Sequence, residues 1–215
     1  FINGGGSLIQ DVTSNRSLYF YLYTIHAARK LGCKVQMYGC GVGHVSAPFN
    51  RRLASRVLNR SVDVITLRDT VSYQELKDME VSKPDIRLAA DPATTLIPAS
   101  DQQAQQFLTR RGVPMDGQYI CFALRPWADF HDFSCFSRAA EYAYRQYGLS
   151  AVFLPIESPL DLQACKKAAA AAQTPCYVLR DIPEDVRLTM AVLRQMRIVC
   201  GMRLHSIVFS AAACA

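Results

Sequence analysis

The sequence has no run of eighteen or more apolar residues, the length that a helix needs to cross a bilayer. Its N-terminus lacks the order of basic, apolar and small residues that marks a secretory signal. The eight cysteines are scattered, without a C-x-x-C pair or a close cluster of cysteine and histidine, so the pattern indicates neither a metal site nor a disulfide scaffold. These absences favour a cytoplasmic protein whose thiols are reduced and mostly buried.

The charge balance is only modestly basic, with a formal net charge of +6. This excess suggests an anionic substrate or surface, but no motif that reads RNA or DNA accompanies it, so we expect no nucleic-acid partner. Arg52, Arg56 and Arg60 recur at every fourth residue of a predicted helix. Such a stripe is most often a solvated face, and its functional interpretation is peripheral contact with an acidic membrane or a lipid that carries pyrophosphate.

Short β-type runs alternate with amphipathic helical stretches along the whole chain, the pattern of parallel α/β layers. We therefore predict an α/β fold of two Rossmann-like domains that face a cleft, with the chemistry at the carboxyl ends of the strands. The predicted domains are residues 1–98 and 118–215, joined by a polar linker at 99–117. We expect a chain truncated at both ends, because residues 1–2 have the character of a strand already under way and residues 210–215 that of an unfinished helix.

The stretch GMRLHSIVFS, residues 201–210, places a cation and an imidazole among apolar side chains. A strand at 198–200 and a following helix would put Arg203 and His205 in the first helical turn, where free N–H groups and the helix dipole attract an anion. A cation there is unfavourable unless an anionic ligand or a neighbouring carboxylate balances it, and the sequence leaves both explanations open. The predicted buried face of this helix consists of Leu204, Ile207, Val208 and Ala211.

A second arginine, Arg125, directly follows a predicted strand in FALRPW, and it too has a structural ion pair as its alternative explanation. Asp129 and His131, slightly further along, are predicted to be ordinary surface residues.

The segment NGGGSLIQD, residues 3–11, is a weaker candidate for substrate binding. Gly5 and Gly6 would let a ligand approach the backbone, and Ser7 can donate a hydrogen bond to an oxyanion. Asp11 follows a strand end and could bind a hydroxyl or act as a base. Asp69 has a similar position, but we predict that it caps a helix.

Several segments together resemble the polysaccharide pyruvyl transferase family, in particular its bacterial cell-wall branch of the CsaB type. They occur in the order GGGSLIQDVTSNRSLYFYL, YGCGVG, NRRLASRVLNRSVDVITLRDTVSYQEL, AADPA, FALRPW and CGMRLHSIVFSAAA. The resemblance covers nearly the whole chain, and G-M-R-L-H is its most specific motif. It implies a fold like that of GT-B glycosyltransferases and transfer of the pyruvyl group of phosphoenolpyruvate to a sugar. Phosphate would be released and a ketal formed, with phosphoenolpyruvate as co-substrate and no cofactor.

Carried over to the matching residues, the resemblance implies that Arg203, the Leu204 backbone and His205 bind the donor, with Arg125 as the second arginine. It also implies that His205 and Arg203 are catalytic, with His205 as the general acid. The implied acceptor is an N-acetylmannosamine residue of a cell-wall polymer precursor, lipid-linked or free, whose ketal anchors the surface layer. The enzyme would then work in the cytoplasm, at the inner face of the membrane.

Two alternatives compete with this interpretation. A GT-B glycosyltransferase that uses a nucleotide sugar would have the same two domains and similar glycine loops. A non-catalytic glycan-binding relative would keep the fold without turnover.

Overall fold

The protein is described by a computed structural model that covers residues 1–127, 130 and 132–213. Asp129 and His131, predicted to lie on the surface, and Cys214 fall outside the described residues. The chain divides into two compact units, the first spanning Phe1–Pro92 and the second beginning at Ala93.

The first unit is a parallel sheet with helices that follow its strands. Its strands are β1 (Ile2–Gly4), β2 (Ser7–Ile9), β3 (Gln36–Val42), β4 (Val64–Leu67) and β5 (Asp85–Leu88). Its helices are α1 (Asn15–Lys30), α2 (Pro48–Ser61) and α3 (Thr70–Asp78). The strand order is β1-β3-β4-β5, and β2 also pairs with β3.

Side-chain capping starts two of these helices. Ser14 accepts a hydrogen bond from the Ser17 amide at 3.3 Å at the start of α1. Asp69 accepts one from the Ser72 amide at 2.7 Å at the start of α3, which confirms its role as a cap. Apolar side chains of α1, including Leu18, Leu22 and Ile25, then fill the core against the sheet.

The second unit repeats this architecture. After a short 3₁₀ turn (Pro92–Thr95) come α4 (Asp101–Thr109), β6 (Gln118–Ala123), α5 (Ser134–Tyr147), β7 (Leu149–Phe153) and α6 (Leu160–Ala171). The unit continues with β8 (Cys176–Val178), α7 (Val186–Arg194), β9 (Ile198–Gly201) and α8 (Leu204–Ala213). The parallel strand order is β8-β7-β6-β9. The predicted α/β class, with two Rossmann-like parallel units, is confirmed.

The division between the units differs from the predicted linker at residues 99–117. That segment holds α4, whose Phe107 and Leu108 are buried in the core of the second unit. Its start is fixed by a capping box in which Ser100 and Gln103 exchange hydrogen bonds. The glutamines of this segment are typical of a linker, but in the structure they lie on the solvent side of α4. Only a narrow apolar side of the helix faces the core, so the sequence pattern of a buried helix is weak.

The buried face of α8 also differs from the prediction. Leu204 and Ile207 are 51% and 52% exposed, respectively. The residues that α8 buries are instead Ser206, Phe209, Ser210 and Ala213. Ser206 and Ser210 can be buried because their hydroxyls donate to the carbonyls of Arg203 and Ser206 at 2.6 and 2.7 Å. Because α8 carries apolar or small residues on all its sides, its sequence does not indicate which side faces the core.

Candidate functional site

The register of the second sheet places two arginines at matching strand ends. Ala123 of β6 is the partner of Gly201 of β9, and the Met202 amide donates to the Ala123 carbonyl at 2.9 Å. Arg125 and Arg203 each follow their strand by two residues, and neighbouring strands are about 4.8 Å apart. Arg125 and Arg203, which come from separate sequence motifs, therefore lie at the carboxyl end of the same sheet.

Arg125 has a buried donor that no described residue satisfies. Its guanidinium stacks over the Trp127 ring at 4.5 Å from the centroid. Its Nε is buried and has no hydrogen-bond partner among the described residues. An unsatisfied buried donor of this kind costs about 1–3 kcal/mol, so the arrangement is better explained if an anion completes it.

Arg203 is held by carboxylates from the segment that follows β7. Its Nε and Nη2 donate to Asp161 at 3.0 and 2.6 Å, and its Nη1 forms an ion pair with Glu157 at 2.7 Å. These contacts raise the pKa of Arg203, and the hydrogen bond with Asp161 contributes most. Neighbouring carboxylates therefore balance the charge of Arg203, which is one of the two explanations that the sequence left open. It is compatible with anion binding, because Asp161 takes up only two of the five guanidinium N–H groups.

The two carboxylates differ in their environment. The Asp161 side chain is fully buried and also accepts a hydrogen bond from the Glu157 amide at 2.9 Å. The Glu157 side chain is 54% exposed and can swing into solvent. Asp161 therefore fixes the guanidinium, whereas Glu157 is a counter-ion that an arriving anion can displace.

His205 lies in the first turn of α8, as predicted, while Arg203 directly precedes the helix. The imidazole packs against Phe209, with ring centroids 5.5 Å apart. Gly201 permits the tight entry into this helix, because a Cβ at that position would lie 2.1 Å from Ser206 Oγ. The motif G-M-R-L-H thus combines a steric requirement at its first residue with polar groups at its third and fifth.

The glycine segment of the first unit forms a turn between β1 and β2. Gly5 and Gly6 have φ values of +79° and +66°, a region that other residues enter only with strain. Ser7 is exposed and begins β2. Asn3, next to this turn, is buried, and its Nδ2 has no hydrogen-bond partner in the described part of the chain, so it is a candidate polar group that sequence reasoning did not identify.

Asp11 is tied to the start of α2. It accepts hydrogen bonds from the Ser46 and Ala47 amides at 2.8 and 3.0 Å and from Asn50 Nδ2 at 2.9 Å. Burial alone raises the pKa of Asp11, but the hydrogen bonds from Asn50, Ser46 and Ala47 together bring the pKa well below its usual value. A carboxylate with so low a pKa is a weak proton acceptor, so these contacts favour a structural role over that of a base.

Sequence reasoning missed Asp161 and Glu157, and no spacing pattern in PIESPLDL could have identified them. Trp127 was visible in FALRPW, but its stacking on Arg125 depends on the loop conformation after β6. The candidate groups fall into two sets: Arg125, Arg203 and His205 in the second unit, and residues 3–11 in the first.

Other types of site receive no support from the described part of the chain. There, no helix is both long and apolar enough to cross a membrane. The same residues contain no group of three histidine, cysteine or acidic side chains placed to hold a metal ion. The seven described cysteines are free, and burial raises the pKa of Cys40 to about 11 and that of Cys165 to about 12.

The chain is thus an α/β protein of two Rossmann-like units, and cationic groups follow the strand ends of the second unit. Within that class, the model of the family "polysaccharide pyruvyl transferase" matches residues 1–214, and the chain belongs to this family. No curated protein matches the sequence significantly.

Solved glycosyltransferase structures are distantly similar. The α,α-trehalose-phosphate synthase (UDP-forming) from Burkholderia vietnamiensis shares 14% identity at a TM-score of 0.47, over 91% of this chain and 53% of that one. The α,α-trehalose 6-phosphate synthase from Burkholderia multivorans shares 16% sequence identity at a TM-score of 0.49, and the match covers 98% of this chain and 53% of that one. The family 9 glycosyl transferase from Veillonella parvula shares 12% sequence identity at a TM-score of 0.40, and the match covers 84% of this chain and 72% of that one. The chain thus spans about half the length of the two synthases.

Proposed function

We propose that the protein transfers the pyruvyl group of phosphoenolpyruvate to two hydroxyls of a sugar, forming a ketal and releasing phosphate. Family membership supports the reaction class. The observation that carries the proposal is the buried Nε of Arg125, which has no hydrogen-bond partner among the described residues. Arg125 follows the strand next to the one that precedes Arg203 and His205.

Donor binding follows from the charges at this sheet edge. Phosphoenolpyruvate carries a phosphate and a carboxylate, and two guanidinium groups can each bind one of them bidentately. Arg125 offers its free Nε, and Arg203 offers the N–H groups that Asp161 leaves unused. The Leu204 amide, at the start of α8, would add a helix N-terminal donor. The anion would displace Glu157 from Arg203.

His205 would act as the general acid. Protonation of C3 of the enol makes C2 electrophilic, so one sugar hydroxyl adds to C2 and loses its proton. The second hydroxyl then displaces phosphate from C2 and closes the ring, and His205 can protonate either C3 or the departing phosphate. General acid catalysis typically contributes about 10²- to 10⁴-fold to the rate. Gly5, Gly6, Ser7 and, less favourably, Asp11 would contact the substrate.

The acceptor in this proposal is an N-acetylmannosamine residue of a cell-wall polymer precursor, as in the CsaB-type branch. Its ketal would anchor a surface layer, and synthesis would take place on the cytoplasmic side of the membrane. No cofactor is required, because phosphoenolpyruvate supplies both the carbon group and the leaving group.

The test is to incubate the purified protein with phosphoenolpyruvate and an N-acetylmannosamine glycan and to measure phosphate release and ketal formation. A parallel reaction with nucleotide sugars measures free nucleotide. Phosphate release that depends on acceptor supports pyruvyl transfer, whereas nucleotide release supports the glycosyltransferase alternative. Binding of the glycan with neither product would leave the non-catalytic alternative.

A further inference from the structure

The outer faces of α1 and α2 combine exposed aromatic rings with arginines. We call this region the α1–α2 surface. It consists of Phe20, Tyr23, Phe49, Arg52, Arg56 and Arg60. All six residues are exposed and belong to the first unit.

The two helices lie side by side. The Tyr19 hydroxyl donates to Asn50 Oδ1 at 2.9 Å across the helix interface. Further along, a groove of about 250 Å³ separates the helices. It is lined by His26, Leu53, Arg56, Val57 and Arg60.

The charge of this surface is of one sign. Helix α1 contains three basic residues and helix α2 contains four, counting lysines and arginines together. Neither helix contains an aspartate or glutamate. Arg29 and Arg51 are neutralised from outside these helices, by Asp63 at 3.0 Å and Glu75 at 2.6 Å.

The arginines of the α1–α2 surface remain available. Within the described residues, Arg52, Arg56 and Arg60 form no ion pair. Two acidic residues, Asp78 and Glu80, line a groove with Arg52 and Arg56, yet neither forms an ion pair with them.

The aromatic side chains distinguish a bilayer from other anionic partners. Phe20, Tyr23 and Phe49 are 61%, 70% and 67% exposed. Aromatic rings are stable at the level of lipid headgroups, where arginines beside them reach the phosphates. A free phosphate or a purely polar acidic partner would use the arginines but not three exposed rings.

We propose that the α1–α2 surface docks the protein on an anionic lipid bilayer, with the rings entering the headgroup layer and the arginines binding lipid phosphates. Docking goes beyond the proposed pyruvyl transfer and does not depend on it. It would bring a lipid-linked acceptor and the enzyme to the same surface.

The test is sedimentation of the purified protein with vesicles. One set contains phosphatidylglycerol and phosphatidylcholine, and the other contains phosphatidylcholine alone. We expect binding to the anionic set, weakened by salt. The variant R52Q/R56Q/R60Q should bind about two orders of magnitude more weakly, since each arginine near an anionic surface contributes roughly fivefold.

A control variant, R110Q/K166Q/R180Q, removes the same charge from exposed positions of the second unit. It should keep most of the binding. The variant F20S/Y23S/F49S should lose the binding that remains at high salt. All three variants should retain pyruvyl transfer to a soluble acceptor, which separates docking from catalysis.

Three results would overturn the proposal. The first is equal binding to both vesicle sets, and the second is equal loss in the arginine and control variants. The third is self-association in solution that the serine variant abolishes, because a second copy of the chain would then be the occupant of this surface.

Discussion

The carboxylates around Arg203 allow a prediction in which two conservative substitutions have opposite effects on donor binding. Asp161 is fully buried and bound to Arg203 through two hydrogen bonds, whereas Glu157 is more than half exposed. Asp161→Asn should leave a largely buried guanidinium without its main counter-ion. Removing one partner of a buried pair costs about 3 kcal/mol or more, which lowers the Tm of a protein of this size by roughly 6–12 °C.

Glu157→Gln should have little effect on stability, because exposed ion pairs contribute about 0–1 kcal/mol. It should tighten binding of phosphoenolpyruvate, since the anion no longer displaces a charged carboxylate. Removing a competing charge worth about 1 kcal/mol improves the affinity roughly fivefold. Asp161→Asn should instead weaken binding, because the guanidinium is no longer held at the strand end.

The assays are thermal unfolding and calorimetric titration with phosphoenolpyruvate, and phosphate release then separates KM from kcat. Asp116→Asn, an exposed carboxylate of the same unit, is the matched control and should change neither quantity. Weaker binding in both Asp161→Asn and Glu157→Gln would refute the distinction between a holding carboxylate and a displaceable one. Failure of the unmodified protein to bind phosphoenolpyruvate would instead refute the proposed function.

Three further predictions concern other parts of the molecule. His205→Gln should lower kcat for phosphate release by about 10²- to 10⁴-fold with phosphoenolpyruvate binding retained, and near-normal turnover would contradict its acid role. Asp11 should stabilise the fold above its unfolded pKa of about 3.9, with this contribution lost as the pH falls towards the lower folded value. Asp11→Asn should therefore lower the Tm at pH 7 and flatten its decline below about pH 5 in unfolding scans. Gly201→Ala should destabilise the protein, and a double-mutant cycle with Ser206→Ala should show a smaller cost when the Ser206 hydroxyl is absent.

Much of the fold follows from local patterns in the sequence. Alternating strand and helix runs predict parallel α/β units, because each amphipathic helix must cover a sheet. Ser14 and Asp69 mark helix starts, since their side chains can bind the free amides of a first turn. The short strand β2 was missed because glycines on its N-terminal side dominate the local pattern, while its pairing with β3 depends on residues more than thirty positions away.

The sequence points to Arg125, Arg203 and His205 as candidates for anion binding, because each follows a strand and lies within a motif that resembles one family. What surrounds these residues depends on the folded chain. The register of β6 and β9 brings the two arginines to one sheet edge, and the first turn of α6 supplies Asp161, 42 positions before Arg203 in the chain. Hydrogen bonds and burial at such separations leave no periodic pattern in a single sequence, so whether an arginine is paired, held or free becomes visible only once the chain is folded.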